Sequence, residues 1–356
     1  MASIFEMFNS RILAAYWANA GVQRTYVGSG LFPAAKKAGL DLAWIKGSSG
    51  LPVSLMPSAF DAKATFRDRI GVQKIETEMP FFREGYHIGE KDRQELLRAA
   101  DANDPYASAV LSRIFDDAAE LVEGARVVSE RMIFSLLFPT GGDMGISISA
   151  NGVDYTYDYD PSDVWKGKNY KALTGTALWT AASTAKPIDD ILKAKSTVAA
   201  NTGATIKTAI MNETTFSNMI ATDNVKNRFL TVSGVNSNAV MLPNDAKNVI
   251  ESSTGVKIVV YNEQYRKEDK TAAKYVPDGY VSFIPDGKLG NTWYGTTPEE
   301  ADLMAKSGAD VSIVNTGVAL NTVTHPHPVS VDIFASEIVL PSFERMDDVY
   351  VLKAHA

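Results

Sequence analysis

Three aspartates that stand close together, Asp154, Asp158 and Asp160, are the first residues considered for chemistry. Carboxylates at this spacing could bind a cation or act as a general acid and base. Apolar and aromatic residues alternate with them: Val153, Tyr155, Tyr157 and Tyr159. A two-residue period is typical of a strand, here with the tyrosines facing inward and the aspartates facing solvent. We favour this exposed strand face, and a hydrolase or lectin-like protein that uses the aspartates is the alternative.

The chain has four histidines, His87, His325, His327 and His355, and no cysteine. His325 and His327 belong to a His-Pro-His-Pro sequence, and alternate residues of an extended segment face the same side, as two metal ligands would. No third ligand is marked nearby, so the sequence predicts no metal site. The lack of cysteine excludes disulfides, thiolate metal sites and cysteine nucleophiles.

Motifs of the common enzyme classes are missing. The sequence contains no Gly-x-Ser-x-Gly, P-loop, Gly-x-Gly-x-x-Gly or His-Glu-x-x-His pattern. The glycine-rich stretch Gly141–Gly145 lacks the Lys-Ser/Thr pair and the preceding strand of a phosphate-binding loop. We therefore predict that the protein is not an enzyme and has no catalytic residue and no cofactor.

Composition and charge indicate a folded protein that binds polyanions weakly. The 356 residues are 45% hydrophobic and 22% charged, as in globular proteins with a large core. The net charge is −7, and the longest basic runs are pairs such as Lys36-Lys37. Nucleic-acid phosphates are bound by clusters of Lys and Arg, so we expect any contact with a genome to be loose. The longest apolar run, Met132–Phe138, is far shorter than the roughly 18 residues of a membrane span, so no membrane partner is expected.

The elements that must position any site begin with an amphipathic helix near the N-terminus. Its apolar residues recur at helical spacing: Ile4, Phe5, Phe8, Ile12, Leu13, Tyr16 and Trp17. Such a stripe indicates a helix that binds a protein surface. A helix on a membrane surface is the alternative, disfavoured because Lys and Arg are scarce there. Glu6 interrupts the apolar residues and no basic residue precedes Arg11, so no secretory signal is expected.

A long helix is predicted from about Asp104 to Phe138. Its apolar residues are spaced by three or four positions: Val110, Leu111, Ile114, Ala118, Leu121, Val122, Ala125, Val128, Met132, Ile133, Leu136 and Leu137. Asp104 can cap the helix and Pro105 suits its first turn, whereas Pro139 and Gly141-Gly142 end it. About eight turns with one apolar stripe predict a helix of roughly 50 Å that packs along a sheet, and a coiled coil is the alternative.

Helical and extended patterns alternate through the middle of the chain, which predicts a compact α/β domain there. Helices are predicted at Pro187–Ala200, Thr214–Phe229 and Asn244–Ser253. Strands are predicted at Thr208–Asn212, Val256–Tyr261, Tyr280–Ile284, Val329–Leu340 and Val349–Leu352.

An extended segment at Ala64–Val72 carries charge on both of its faces. Phe66, Asp68, Ile70 and Val72 share one face, and Thr65, Arg67 and Arg69 share the other. A two-stranded projection of this kind is marginal in water by itself. We expect a neighbouring subunit to complete its packing.

The order of these features resembles the phage lambda-type major head protein family, major capsid protein E. Four stretches carry the resemblance: Phe66–Val72, Leu96–Phe138, Tyr155–Tyr159 followed by Leu173–Ile191, and Pro277–Asn291. Within Leu173–Ile191 the pattern is a Thr-Gly, a Trp and a Pro-x-Asp that opens a helix. Together they span most of the chain, but the His-Pro-His-Pro segment and the C-terminal tail do not match the family pattern.

The resemblance implies an α+β fold of the Hong Kong 97 capsid type and a division of labour along the chain. Residues 1–38 would be an N-terminal arm and 39–95 an extended loop that overlaps an adjacent subunit. Residues 96–165 and 255–356 would form a peripheral domain with the spine helix, and 166–254 an axial domain. The implied function is a major capsid protein of a tailed bacteriophage. Its copies would form the pentamers and hexamers of an icosahedral shell around DNA.

Partners, location and contact residues follow from the same resemblance. The chain would bind itself, with portal, scaffold and decoration proteins as further partners. It would assemble in the bacterial host cytoplasm and end in the virion, holding double-stranded DNA without sequence-specific contacts. The residues expected to contact neighbouring subunits are Arg67, Asp68, Arg69, Lys74, Glu76, Glu78, Phe5, Phe8 and Trp17. The shell protein of a cellular nanocompartment with the same fold is the nearest alternative.

Overall fold

The computed structural model describes residues 9–19, 24–46, 73–92, 94, 105–150, 152–233, 241–303 and 309–355. The chain divides into two compact units. The first unit comprises Met1–Ala43, Glu76–Met132 and Gly290–Ser342, and the second comprises Trp44–Ile75, Ile133–Leu289 and Phe343–Ala356. The predictions that lie outside the described residues concern Phe5, Phe8, Arg67, Asp68, Arg69 and the strand Ala64–Val72.

The described elements alternate between helices and strands. The helices are α1 (Ser10–Asn19), α2 (Gly28–Leu31), α3 (Pro105–Leu137), α4 (Val164–Asn169), α5 (Pro187–Thr202), α6 (Glu213–Ala221), α7 (Asp223–Ser233) and α8 (Pro243–Thr254). The first strands are β1 (Ala34–Lys36), β2 (Asp41–Lys46), β3 (Gln73–Glu78), β4 (Phe81–Ile88), β5 (Gly145–Ala150), β6 (Val153–Asp158), β7 (Tyr170–Ala172), β8 (Ile206–Met211) and β9 (Lys257–Val260). The later ones are β10 (Gln264–Arg266), β11 (Ala272–Lys274), β12 (Tyr280–Pro285), β13 (Asn291–Tyr294), β14 (Ala309–Val314), β15 (Val318–Pro326), β16 (Val329–Ser342) and β17 (Tyr350–Lys353). Of the helices described, none is both long and apolar enough to cross a membrane.

The sheet of the first unit is organised around the long strand β16. One edge of β16 pairs antiparallel with β15, which pairs with β14. Strand β4 pairs with residues 331–338, on the edge opposite β15, and β13 pairs with residues 339–342. Strand β1 extends this sheet by pairing parallel to β13. A long central strand thus holds together segments that are far apart in sequence.

One face of this sheet packs against α3 and α1. Alternate residues of β16, Val331, Ile333 and Ala335, are buried in one cluster with Leu13 of α1 and the α3 residues Ala118, Leu121 and Val122. Since successive side chains of a strand point to opposite faces, the residues between them face away from α3. The prediction of a long helix that lies along a sheet is confirmed, and the coiled-coil alternative is wrong.

The second unit contains a five-stranded sheet in the order β7-β17-β12-β8-β9. Strands β12 and β17 and strands β12 and β8 are antiparallel, whereas β7 and β9 run parallel to their neighbours. Helices α5, α6 and α8 contribute Ile191, Phe216 and Ile250 to a buried cluster with sheet residues such as Phe283. Each large apolar side chain that is fully buried contributes about 1.5–3 kcal/mol to the stability of this unit.

Local signals explain where the helices begin and end. The predicted limits of the long helix agree with α3, which starts at Pro105 and ends two residues before Pro139. Helix α5 starts with Pro187 and is followed by Gly203, whose φ of 79° lies in the left-handed region that favours glycine.

The helical pattern predicted at Thr214–Phe229 is divided in the structure. Helix α6 ends at Ala221, and Thr222 adopts an extended conformation before α7 begins at Asp223. The backbone N–H of Asp223 donates to the carbonyl of Ala182 instead of continuing α6. A tertiary hydrogen bond therefore accompanies a break that the apolar period did not predict.

Candidate functional site

Each of the three aspartates considered for chemistry accepts a hydrogen bond from a residue that is near it in the sequence. Asp154 accepts a hydrogen bond from Ser149 Oγ at 2.5 Å, on the strand paired with its own. Asp158 accepts from the backbone N–H of Asp160 at 2.9 Å. Asp160 is buried and accepts from the backbone N–H of Lys166 at 3.0 Å. These contacts order a strand end and a turn, so they give no support to a hydrolase or lectin-like site.

The tyrosine face of β6 is buried only at one end. Tyr159 is 2% exposed and its ring centroid lies 5.4 Å from that of Trp44. Burial raises the pKa of Tyr159 well above its usual value. Val153, at the other end, is 49% exposed. The inward orientation predicted for the whole face therefore applies fully to Tyr159 alone.

Helix α1 docks on the first unit through polar contacts at both of its ends. The backbone N–H of Ser10 donates to Asp310 Oδ2 at 2.6 Å, and Ser10 Oγ lies 2.7 Å from Ser312 Oγ. Tyr16 donates its hydroxyl to Asp116 Oδ1 at 2.7 Å. Trp17 is partly buried against the same apolar cluster. Its expected contact with a neighbouring subunit stays a prediction, and its contact within the chain is a finding.

The charged residues expected to contact neighbours lie partly on β3. Lys74, Glu76 and Glu78 stand at alternate positions in the sequence of this strand, and of the three only the side chain of Glu78 is described. β3 pairs only with β2 among the described residues, which makes a two-stranded sheet. Glu78 is exposed. The projection was predicted from Ala64–Val72, which lie outside the described residues, so it stays a prediction, as do the ion pairs to a neighbour.

Two polar clusters occupy the face of the first unit's sheet that points away from α3. In one, Arg83 contacts the buried carboxylate of Glu299, which also accepts from Ser336 Oγ at 2.9 Å. In the other, Asp332 lies between His87 at 2.5 Å and His325 at 2.8 Å. Sequence reasoning singled out His325 from its His-Pro-His-Pro context but found neither partner, because His87 and Asp332 stand 245 positions apart. Within the described residues, no three His, Asp or Glu side chains are arranged to hold a metal ion.

A buried carboxyl group on the opposite face was also missed. Glu337 is 1% exposed, and neither of its oxygens has a hydrogen-bond partner among the residues that the structure describes. Burial raises the pKa of Glu337 well above its usual value. The pKa of Tyr294 is raised too, first by burial and then by the charge of Glu337, whereas the hydrogen bond to Ser129 opposes this. The sequence pattern of β16 does not predict a buried carboxyl group, because Glu337 occupies a core-facing position at which an apolar residue is expected.

Comparison with known proteins gives a consistent result. A model of the family described as phage major capsid protein E matches residues 9–354. A protein assigned as a prophage capsid protein of Escherichia coli CFT073 is similar in structure, at 14% identity and a TM-score of 0.57, over 98% of this chain and 99% of the other. A phage-related protein from Bordetella bronchiseptica RB50 is similar at 14% identity and a TM-score of 0.53, over 97% of each chain. A search of curated sequences finds no match.

Proposed function

The chain belongs to the phage major capsid protein E family, and we propose that its copies form the pentamers and hexamers of an icosahedral shell around double-stranded DNA. That it is a phage capsid shell protein follows from the family match over residues 9–354, which is the observation that carries the proposal. The predicted α+β fold of the Hong Kong 97 type is confirmed by the similarity to a prophage capsid protein. A carboxylate-dependent hydrolase and a nanocompartment shell are not favoured.

The proposed division of labour assigns each segment a place in the shell. Residues 1–38 are the arm, 39–95 the extended loop, 96–165 and 255–356 the peripheral domain, and 166–254 the axial domain. The two-stranded β2–β3 sheet supports the loop assignment, because such a sheet is marginal unless a neighbour covers it.

Exposed apolar side chains in the second unit support an axial contact between copies. Val232 is 52% exposed and Leu242 is 60% exposed, and they stand on either side of residues 234–240. No charged residue occurs between Val232 and Asn244. Contacts that are depleted in charge and rich in apolar groups are typical of the buried centre of a protein interface.

Contacts through the extended loop would be mainly electrostatic. The proposed set is Arg67, Asp68, Arg69, Lys74, Glu76 and Glu78, of which only Glu78 has a described side chain, and it is exposed. An exposed pair contributes about 0–1 kcal/mol, and many copies in a shell multiply that contribution.

The remaining partners follow from the family and from the charge of the chain. The net charge of −7 favours containment of DNA without tight binding, since phosphates repel acidic surfaces. Portal, scaffold and decoration proteins are the further partners that we propose. The mature protein resides in the virion, and its assembly in the bacterial host cytoplasm is part of the proposal.

Electron microscopy of the purified recombinant protein tests the proposal. After size exclusion, we expect closed shells, tubes or capsomer rings in negative stain, with matching species in sedimentation velocity. A small oligomer that persists in assembly-promoting salt and with a phage scaffold protein would contradict self-assembly. Shells that co-purify with a single enzyme as cargo would instead favour a nanocompartment.

A further inference from the structure

The chain makes an excursion between β1 and β4, residues 37–82, whose two ends lie side by side. At the outgoing end, the backbone N–H of Lys37 donates to the carbonyl of Tyr294 at 2.8 Å. At the returning end, the backbone N–H of Met79 donates to the carbonyl of Leu40 at 2.9 Å. The described part of the excursion includes β2 and β3, which pair with each other. The outgoing and returning segments therefore form one narrow base on the sheet of the first unit.

Backbone groups pack closely at this base. The N–H of Gly295 donates to the carbonyl of Ile338 at 2.8 Å. A Cβ atom at position 295 would lie 3.0 Å from the carbonyl oxygen of Gly39 and 2.6 Å from Cγ2 of Ile338. Gly39 has a φ of 86°, in the left-handed region that favours glycine. The outgoing segment therefore lies directly against the end of β13, where a side chain would not fit.

Two consecutive glutamates contact the residues on either side of the excursion. Glu299 and Glu300 open a short helical turn, Glu299–Leu303. Lys36, the last residue before the excursion, places Nζ 2.5 Å from Glu300 Oε1. Arg83, the first residue after it, contacts the carboxylate of Glu299 through its guanidinium group. One turn of the chain thus holds a cation from each end of the excursion.

Burial makes these ion pairs stronger than pairs on an open surface, because the attraction is less screened by water. The side chain of Glu299 is 7% exposed and that of Glu300 is 19% exposed, whereas Lys36 is 33% and Arg83 is 45% exposed. Glu299 also accepts a hydrogen bond from Ser336 Oγ on β16 at 2.9 Å. A carboxylate withdrawn from water in this way costs free energy unless a cation and hydrogen bonds compensate it. The fold therefore favours Arg83 in its place beside Glu299.

The returning end is held by further contacts. The guanidinium carbon of Arg83 lies 4.8 Å from the centroid of the Phe81 ring, a distance at which cation and ring attract each other. Phe81 pairs with Ile338 on β16, and the backbone N–H of Val339 donates to the carbonyl of Pro80 at 3.3 Å. Arg83 thus carries the contact of Glu299 into a segment that is already bound to β16.

We propose that Glu299 and Glu300, with Lys36 and Arg83, form an acidic clamp that fixes both ends of residues 37–82 on the first unit. Since each cation belongs to a different end, loss of one pair loosens one end and loss of both loosens the whole base. Glu299 and Glu300 are positioning residues, because they act through Lys36 and Arg83. The clamp also decides where the proposed extended loop starts toward an adjacent copy, and this part rests on the proposed function.

Hydrogen exchange of the full chain, followed by mass spectrometry, tests the clamp. The protein is kept unassembled by low concentration, which sedimentation checks. In the double variant E299Q/E300Q we expect peptides from residues 37–43 and 76–83 to exchange about tenfold faster than in wild type, as loss of two partly buried ion pairs allows. Peptides from α5 and α8 in the second unit serve as the internal reference and should not change. Wild-type exchange at both ends would overturn the proposal.

Matched variants distinguish the ion pairs from a general packing defect. Asp302→Asn, at an exposed position of the same turn, should leave exchange at wild-type rates. Lys36→Glu should speed exchange at the outgoing end, and the reversed pair K36E/E300K should restore it. If E299Q/E300Q does not fold, Lys36→Gln and Arg83→Gln, at partly exposed positions, make the same test one end at a time. Exchange in K36E/E300K as fast as in K36E would overturn an ionic clamp.

Electron microscopy separates the clamp from the proposed assembly. Under conditions in which the wild type forms shells, E299Q/E300Q should give open or irregular particles, while Asp302→Asn gives shells of wild-type form. Closed shells of wild-type form from the double variant, together with faster exchange, would overturn the role of the clamp in assembly. Absence of shells from the wild type would contradict the proposed function alone, since exchange of the unassembled chain still decides on the clamp.

Discussion

Glu337 on β16 lies directly opposite Phe82 on β4, and both of its carboxylate oxygens are buried without a hydrogen-bond partner in the described part of the chain. A charged carboxylate in such a place would be costly, so the folded protein favours the protonated form. The packing of the first unit is thereby coupled to pH. This coupling has a definite sign that can be measured.

Glu337→Gln is expected to stabilise the protein as the pH rises. Since the folded state raises the pKa of Glu337, its contribution to stability is complete below the unfolded pKa and is lost as the pH rises through the folded pKa. The amide does not titrate, so the stability of the variant relative to wild type should increase between about pH 5 and about pH 8. Chemical denaturation at both values measures this difference.

The matched control for this change is Glu84→Gln on the neighbouring strand β4, where Glu84 is exposed. It should leave the pH dependence of stability unchanged. If Glu337→Gln changed the free energy of unfolding equally at both pH values, Glu337 would have the same pKa in the folded and the unfolded state.

Leu13→Ala is expected to loosen α1 from the first unit. Leu13 is 2% exposed and lies in the cluster with α3 and the sheet. Removal of a buried leucine side chain costs about 2–5 kcal/mol, whereas Ile12→Ala, at a position 43% exposed, should cost about 0.5 kcal/mol. Urea unfolding compares the two neighbouring positions. Equal costs would mean that α1 is not docked on its own chain as described.

Leu242→Asp is expected to abolish assembly while the subunit remains folded. A charge at this exposed apolar position, 60% exposed, would have to be buried unpaired at the proposed axial contact. Leu192→Asp is the control, since Leu192 is 41% exposed in the same unit but outside the uncharged segment. Negative-stain images and circular dichroism are the measurements. Normal shells from the Leu242 variant would contradict an axial contact at this position.

Glu78→Lys is expected to weaken the shell in a salt-dependent manner. Charge reversal on β3 replaces attraction with repulsion, worth about 1 kcal/mol for each contact. The melting temperature of assembled shells should fall at low salt, and the difference from wild type should shrink at about 1 M salt because screening is then short-ranged. Glu84→Lys, at an exposed residue of β4, is the control. A decrease that does not depend on salt would point to a packing defect instead of an ion pair.

The sequence predicted the elements whose signals are local. The apolar stripe of α3, with Pro105 at its start and Pro139 just beyond its end, predicted both limits of the helix. Pro187 and Gly203 did the same for α5. Period-two alternation predicted β6. These signals lie within a few residues of the element that they define, so they can be recognised without knowledge of the fold.

Strands buried on both faces were harder to predict. The start of β15, where Val318, Ala319 and Leu320 are all buried, lacks the alternation that marks a strand exposed on one face. A short apolar run of this kind fits a buried helix as well as a buried strand. Burial on both faces is decided by packing, which the local pattern does not contain.

By itself the sequence determined the periodic elements and, through their order, the family resemblance of this protein. The tertiary structure alone decided which distant side chains meet. It brought His87 beside Asp332 across 245 positions, placed Glu337 opposite Phe82, and left Asp154, Asp158 and Asp160 with separate local partners. The physical reason is strand register: a shift of one residue exchanges the two faces of a strand, and register is set by the packing of the whole sheet.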